Sequence, residues 1–278
     1  MMRTGIRRLG QWLFLFPAAT GMMLFSGCGS TPELPSDITL DALEERMAQA
    51  MDPERKYRDA ASYFQRQNIE EKGFFSSHRN LVEVRFQRPD RFKLVVYDEN
   101  QPLSGIISRD GKAWSIDYVN GVITELTGNE LAKARVMLAL GHPDNDYDKL
   151  FEKVDMSVVT LNDGDQDLEC YKLVCSSGLP GSSPFTIYIN RALALPKRIE
   201  IDFTLGDRQI HYVNDIQEYQ NFAGVRIPTL SKISDGDREY TSRVVGYMLN
   251  PKFRADEFDV PQFDPVLMEM KRQRLKLR

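Results

Sequence analysis

From about residue 80 to residue 250, apolar and polar side chains alternate with a period of two. In "LVEVRFQRP" the side chains of Val82, Val84 and Phe86 fall on one face, and in "RFKLVVY" Phe92, Leu94 and Val96 do the same. That period marks strands buried on one side only. The same pattern predicts strands over 112–118, 122–126, 154–161, 168–175, 185–190, 197–203, 208–219, 225–234 and 239–249. Between alternating segments sit Asp110-Gly111, Asn120-Gly121, Asp163-Gly164, Gly206-Asp207 and Asp235-Gly236. Such pairs are the strongest short-range hairpin signal, so they predict an antiparallel meander of about ten or eleven strands.

Two segments break the period. "LDALEERMAQAM", Leu40 to Met51, spaces Leu43, Met47 and Ala50 as a helix does and carries acids at its start. "GNELAKARVMLALGHP" carries Leu131, Leu138 and Leu140 and then stops at Gly141 and Pro143. A sheet of this width curls rather than staying flat, and its concave face must be filled by side chains, by the helices or by a ligand. The expected fold is therefore mainly β with some helix (α+β): a curled antiparallel half-open barrel with helices capping its concave face.

The first 27 residues read differently. Arg3, Arg7 and Arg8 precede an apolar run from Leu9 to Phe25 that is interrupted by Gln11, Pro17 and Thr20. This is the layout of a signal peptide, and the run is too short and broken for a convincing membrane span. It ends in "LFSGCGS", whose small residues ahead of Cys28 resemble the lipobox of bacterial lipoproteins. The resemblance implies cleavage before Cys28 and its lipidation, including by palmitate, and more than one acyl chain makes a durable anchor. Gly29 and Ser30 lack the aspartate that retains enteric lipoproteins at the inner membrane, which points to an outer-membrane anchor facing the periplasm. The expected organisation is a signal peptide over 1–27, a lipidated cysteine and tether over 28–37, one half-barrel domain over 38–262 and a basic tail over 263–278.

Charge and chemistry narrow the function. The chain carries a formal charge of −4, which becomes −7 once the three leader arginines are removed. That balance argues against nucleic acid as a partner. Cys170 and Cys175 flank "YKLV" in one strand, too far apart along it to bridge each other. They read as two separate, half-buried thiols. His78, His142 and His211 are scattered without ligand spacing, so no metal or other cofactor is expected. "DGDQDLE" begins like a calcium loop but has Leu168 where the glycine belongs, and it reads as a hairpin turn. No metalloprotease helix motif, phosphate loop or serine-nucleophile elbow occurs, and no enzymatic activity is expected. The bases of "MKRQRLKLR" at the C-terminus read as a solvated tail, with contact to anionic lipid heads as the alternative.

"VEVRFQRPDRFKLVVYDENQPLSGIISRDGKAWSIDY", together with "LPKRIEIDFTLGDRQIHYVNDIQEYQNFAGVRIPTLSKI" and "NPKFRADEFDVP", resembles the LolA/LolB superfamily of lipoprotein carriers. The resemblance spans most of 58–261 and implies an unclosed barrel whose apolar interior takes acyl chains. By position, Arg88 matches the arginine that tethers the family's lid helix, and Phe92 matches an interior aromatic. The residues expected inward are Phe86, Phe92, Leu94, Trp114, Ile116, Phe185, Ile187, Ile199, Ile201 and Phe203, as ligand-cavity lining or as ordinary core. The implied partners are the membrane, through the anchor, and lipid or lipoprotein acyl chains. The alternative is an envelope sensor or interaction module that uses the same fold on a protein partner.

The anchor is directly testable. Cys28→Ser should abolish incorporation of radiolabelled palmitate, and equal labelling of variant and wild type would refute the lipobox assignment.

Overall fold

The computed structural model describes residues 34–72, 77–128, 130–131, 134, 147–164, 166–176, 183–205, 208–236 and 238–264. The elements in chain order are β1 (Leu34–Pro35), α1 (Leu40–Met51), β2 (Ser62–Lys72), β3 (Ser77–Gln87), β4 (Arg91–Asp98), β5 (Gln101–Arg109), β6 (Lys112–Asp117) and β7 (Val122–Leu126). After them come the single turn α2 (Tyr147–Leu150), β8 (Lys153–Asp163), β9 (Gln166–Ser176), β10 (Phe185–Asn190), β11 (Leu195–Leu205), β12 (Arg208–Phe222), β13 (Val225–Ser234) and β14 (Glu239–Leu249).

All fourteen strands belong to one antiparallel sheet, ordered β1-β8-β9-β10-β11-β12-β13-β14-β2-β3-β4-β5-β6-β7. The sheet does not close, because β1 and β7 are its two ends. Three of the strands were not anticipated. In β2 the positions facing Val82 and Val84 are Gln67 and Gln65, which hydrogen-bond each other at 3.0 Å instead of presenting apolar surface. In β5, Pro102, Ser104 and Gly105 interrupt the alternation. β1 is two residues of the expected tether that pair with Ser157 and Val158 of β8.

Turn chemistry agrees with the hairpins. At the β5–β6 turn Asp110 and Gly111 have φ of 52° and 74°, the left-handed backbone that the sheet's twist demands of a tight hairpin. Glu99 and Asn100 do the same between β4 and β5 at 45° and 70°, with no glycine to signal it. Gly206-Asp207 lies outside the described residues.

Helix α1 starts at Thr39, whose hydroxyl accepts from the Ala42 amide at 3.3 Å, a normal N-cap. Leu43, Met47 and Met51 are buried at a spacing of one helical turn each. Leu43 and Met47, with Tyr147 of α2 and Phe151 just beyond it, join inward residues from both halves of the sheet in one core. These include Val82 and Leu94 on one side and Leu173, Ile187 and Tyr212 on the other. The sheet therefore wraps around α1. The second expected helix is seen only in part: Gly128, Glu130, Leu131 and Ala134 are helical, and Leu131 and Ala134 pack with Ala113 and Leu126.

The opposite, convex face of β3–β6 is also apolar in places, with Val95, Ile107 and Ile116 buried. Residues 251–264 lie across it. Lys93 donates to the Glu257 carbonyl at 2.8 Å and carboxylate at 3.0 Å, Arg85 pairs with the same carboxylate at 3.3 Å, and Tyr118 meets Phe263 edge-on at 5.9 Å between ring centroids. Gly105 sits on this face, where a Cβ would come 2.5 Å from the Leu94 carbonyl oxygen and 3.2 Å from the Tyr118 ring. Backbone cannot yield as a flexible side chain can. Gly105→Ala should therefore destabilise the fold by about 1–3 kcal/mol, read as a lowered urea midpoint with an unchanged slope.

Candidate functional site

The concave face is the candidate site, and strand register decides which side chains reach it. Residues directly opposite in an antiparallel pair point to the same side. Phe92 faces Phe86 across β3–β4 and Leu94 faces Val84. In the other half Phe185 faces Cys175 and Ile201, and Ile187 faces Leu173 and Ile199. Phe86, Phe92, Leu94, Phe185, Ile187, Ile199 and Ile201 thus meet on the concave side, the last two strands bringing in residues more than 90 positions away. Phe203 pairs with Ile210 in register, and its side chain lies outside the described set.

Trp114 and Ile116 do not belong there. Trp114 pairs with Ile107 and Ile116 with Gly105, while Ile107 and Gly105 pair with Lys93 and Val95. Those positions lie on the convex face, beside the residues that bind Glu257. The concave positions of β6 are instead Ala113, Ser115 and Asp117. The error has a simple cause: a period of two identifies a face but not its side, and in β6 the larger apolar residues face the C-terminal segment.

Arg88 lies at the end of β3, where its backbone amide donates to the Ala61 carbonyl at 2.9 Å. Its side chain donates to the carbonyls of Ala60 at 2.8 Å and Tyr57 at 3.3 Å. These acceptors belong to residues 52–61, the connection between α1 and β2, rather than to the helix near residue 131. Most of the expected lid helix, 128–143, lies outside the described residues, as does Cys28. The same connection is held by Asp52, whose carboxylate accepts from the amides of Tyr57 at 2.9 Å and Arg58 at 3.0 Å.

Aromatic rings line the way from this connection into the barrel. Tyr57 lies 5.5 Å from Tyr63, which lies 5.3 Å from Phe86 and 6.1 Å from Tyr247, and Tyr247 lies 5.9 Å from Phe222. Tyr63 was missed because β2 was, whereas Tyr247 lies in the expected strand β14 but was not among the residues expected inward. Among the described residues no group of three or more His, Cys, Asp or Glu side chains could hold a metal ion.

No family model matches the chain, and no curated protein matches it in sequence. Solved structures do match its shape. A LolA superfamily protein from Nitrosomonas europaea aligns over 80% of this chain and 98% of its own, with a TM-score of 0.52 and 11% identity. The fold is LolA-like. A DUF1329 family protein from Desulfovibrio piger aligns over 79% and 97%, with a TM-score of 0.53 and 9% identity. A domain described as an outer membrane lipoprotein-sorting protein from Vibrio parahaemolyticus aligns over 80% and 97%, with a TM-score of 0.50 and 9% identity. At such identities the likeness is one of fold.

In the LolA-like sheet, burial favours the neutral form of Tyr212, Cys170 and Cys175. Burial pushes the Tyr212 phenol well up, and the nearby Asp235 carboxylate adds to the effect, so the ring stays neutral. Both thiols of β9 are fully buried rather than half-buried. Cys175 faces the concave core, and Cys170, an odd number of residues away, packs with Val159 and Leu161 on the other face. Burial pushes Cys170 up to about 11, against the smaller pull of Lys197 and Arg198, and Cys175 up to about 12, with Glu44 adding to it.

A folded-state value raised above the unfolded one favours the protonated form in the fold. That contribution is complete below the unfolded thiol value, about 8.5, and is lost as pH climbs toward 11–12. The melting temperature should therefore decline above about pH 9. At pH 8 neither thiol should react with a disulfide reagent until denaturant is added. Rapid reaction in the native protein would contradict the burial.

Proposed function

We propose that the protein is a lipid-anchored envelope protein, held by Cys28 at the outer membrane and facing the periplasm, that binds acyl chains in its half-barrel for lipoprotein or lipid trafficking. It performs no covalent chemistry. One observation carries this reading: the concave apolar face of an unclosed sheet is covered by a helix attached through side chains alone. Among the described residues, α1 contributes Leu43 and Met47 to the core as apolar plugs, not as a backbone partner to any strand. An acyl chain offers the same chemistry as those side chains, and methionine adapts easily to a changed surface. Exchanging one for the other breaks no strand ladder; the hydrogen bonds at stake are those of the Glu44 and Arg46 side chains to the Tyr147 amide and the Arg191 carbonyl.

In this reading Arg88 is a gate residue of a specific kind. Its bonds to Ala60 and Tyr57 fix the hinge through which α1 would swing. The alternative is an interaction module that binds a protein partner. It is favoured by β7, which is an end of the sheet and exposes Val122.

Native mass spectrometry of the protein purified from the envelope should show co-purified lipid. Displacement of a fluorescent fatty acid should be saturable in wild type. Phe92→Glu places a charge on the apolar face and should weaken uptake by more than about tenfold. Arg88→Leu frees the hinge and should speed uptake and release with little change in affinity. If wild type takes up no fatty acid while a melt shows it folded, the carrier reading falls.

A further inference from the structure

We propose that the β1 edge and the β10–β11 turn form a membrane-docking face, on which Leu34 and Leu193 insert into the bilayer that holds the anchor. The proposal rests on the Cys28 anchor proposed above. Five large apolar side chains are exposed among the described residues, and two of them are Leu34 of β1 at 60% and Leu193 of the β10–β11 turn at 56%. Isolated exposed apolar residues are common and mean little. These two are tied to one another.

Leu34 lies in the row Leu34–Val158–Tyr171–Ile189 that crosses β1, β8, β9 and β10. Leu193 follows in the turn after β10. Arg191 of that turn reaches Asp37 at 2.6 Å and Glu169 at 2.9 Å and stacks on Tyr171 at 5.3 Å, while the Tyr171 hydroxyl donates to the same Asp37 carboxylate at 2.9 Å. Arg46 of α1 caps the Arg191 carbonyl at 3.3 Å. The turn and the incoming chain are thereby clasped as one rigid surface with two leucines on it.

The occupant follows from chain length. From Cys28 to Leu34 there are six residues, a reach of about 20 Å even when fully extended. An anchored Cys28 therefore keeps this edge within about 20 Å of the bilayer. The charges at the clasp balance, Arg46 and Arg191 against Asp37 and Glu169, so the contact depends on apolar insertion and not on anionic headgroups. Strand alternation puts the β4–β5 turn, with exposed Glu99, at the opposite end of the sheet.

The test uses the full chain in phosphatidylethanolamine/phosphatidylglycerol vesicles containing a shallow spin-labelled lipid. A fluorophore is attached to Ala192→Cys or, as control, to Glu99→Cys; Cys170 and Cys175 are buried and Cys28 is the acylation site. Quenching at position 192 should exceed that at 99 at least threefold and should persist in high salt. Adding Leu34→Ser and Leu193→Ser should bring position 192 down to the level of 99, with the melting temperature kept. Equal quenching at the two sites in an acylated protein overturns the docking face while leaving the anchor intact. Selective quenching at 192 without palmitate on Cys28 keeps the docking face and removes the anchor.

Discussion

An unclosed, curled sheet has an apolar concave face that no strand can cover, and the rest of this structure answers to that constraint. Inward residues of β2 to β4 and of β8 to β14 join α1 in one core. A helix of twelve residues is marginal by itself in water. It persists because Leu43 and Met47 are enclosed by strands from both halves, and the strands in turn have their inner faces kept dry by it. Helix and sheet are stable only together, which is also why replacing the helix's side chains by another apolar chain is physically plausible.

The ends of that helix are where polar chemistry concentrates. At its start Thr39 caps the first turn and Asp37 is clasped by Tyr171 and Arg191. At its end Asp52, Arg88 and Asn250 secure the connection to β2; Asn250 accepts from the Ala61 amide at 2.8 Å. These bonds satisfy backbone groups that would otherwise be stranded at a barrel rim. They fasten the two ends of α1, while Glu44 and Arg46 hold its middle to the Tyr147 amide and the Arg191 carbonyl.

The convex face is managed by other means. Glu83 is buried on it, yet bonds from Arg66 and Arg85 outweigh the cost of burial and hold its carboxyl below the ordinary value. Arg85 also reaches Glu257, so the same group that neutralises the strand's buried acid fastens the C-terminal segment. Covering this side prevents a wide sheet from presenting two apolar surfaces to water.

Local pattern alone was enough for eleven of the strands, for α1, and for the hairpin turns at 110–111, 120–121, 163–164 and 235–236, because a period of two and Asp-Gly or Asn-Gly pairs are properties of neighbouring residues. The same pattern placed Phe92, Leu94, Ile187 and Ile201 on a common type of face. It did not reveal β2, where Gln65 and Gln67 satisfy each other inside the barrel, or the turn at Glu99-Asn100. Nor did it reveal which side of the sheet Trp114 and Ile116 occupy, or which carbonyls Arg88 would find. Those outcomes depend on what lies across the sheet: α1 on one side and residues 251–264 on the other. Alternation is encoded one strand at a time, whereas inside and outside are defined only when distant segments close over each face.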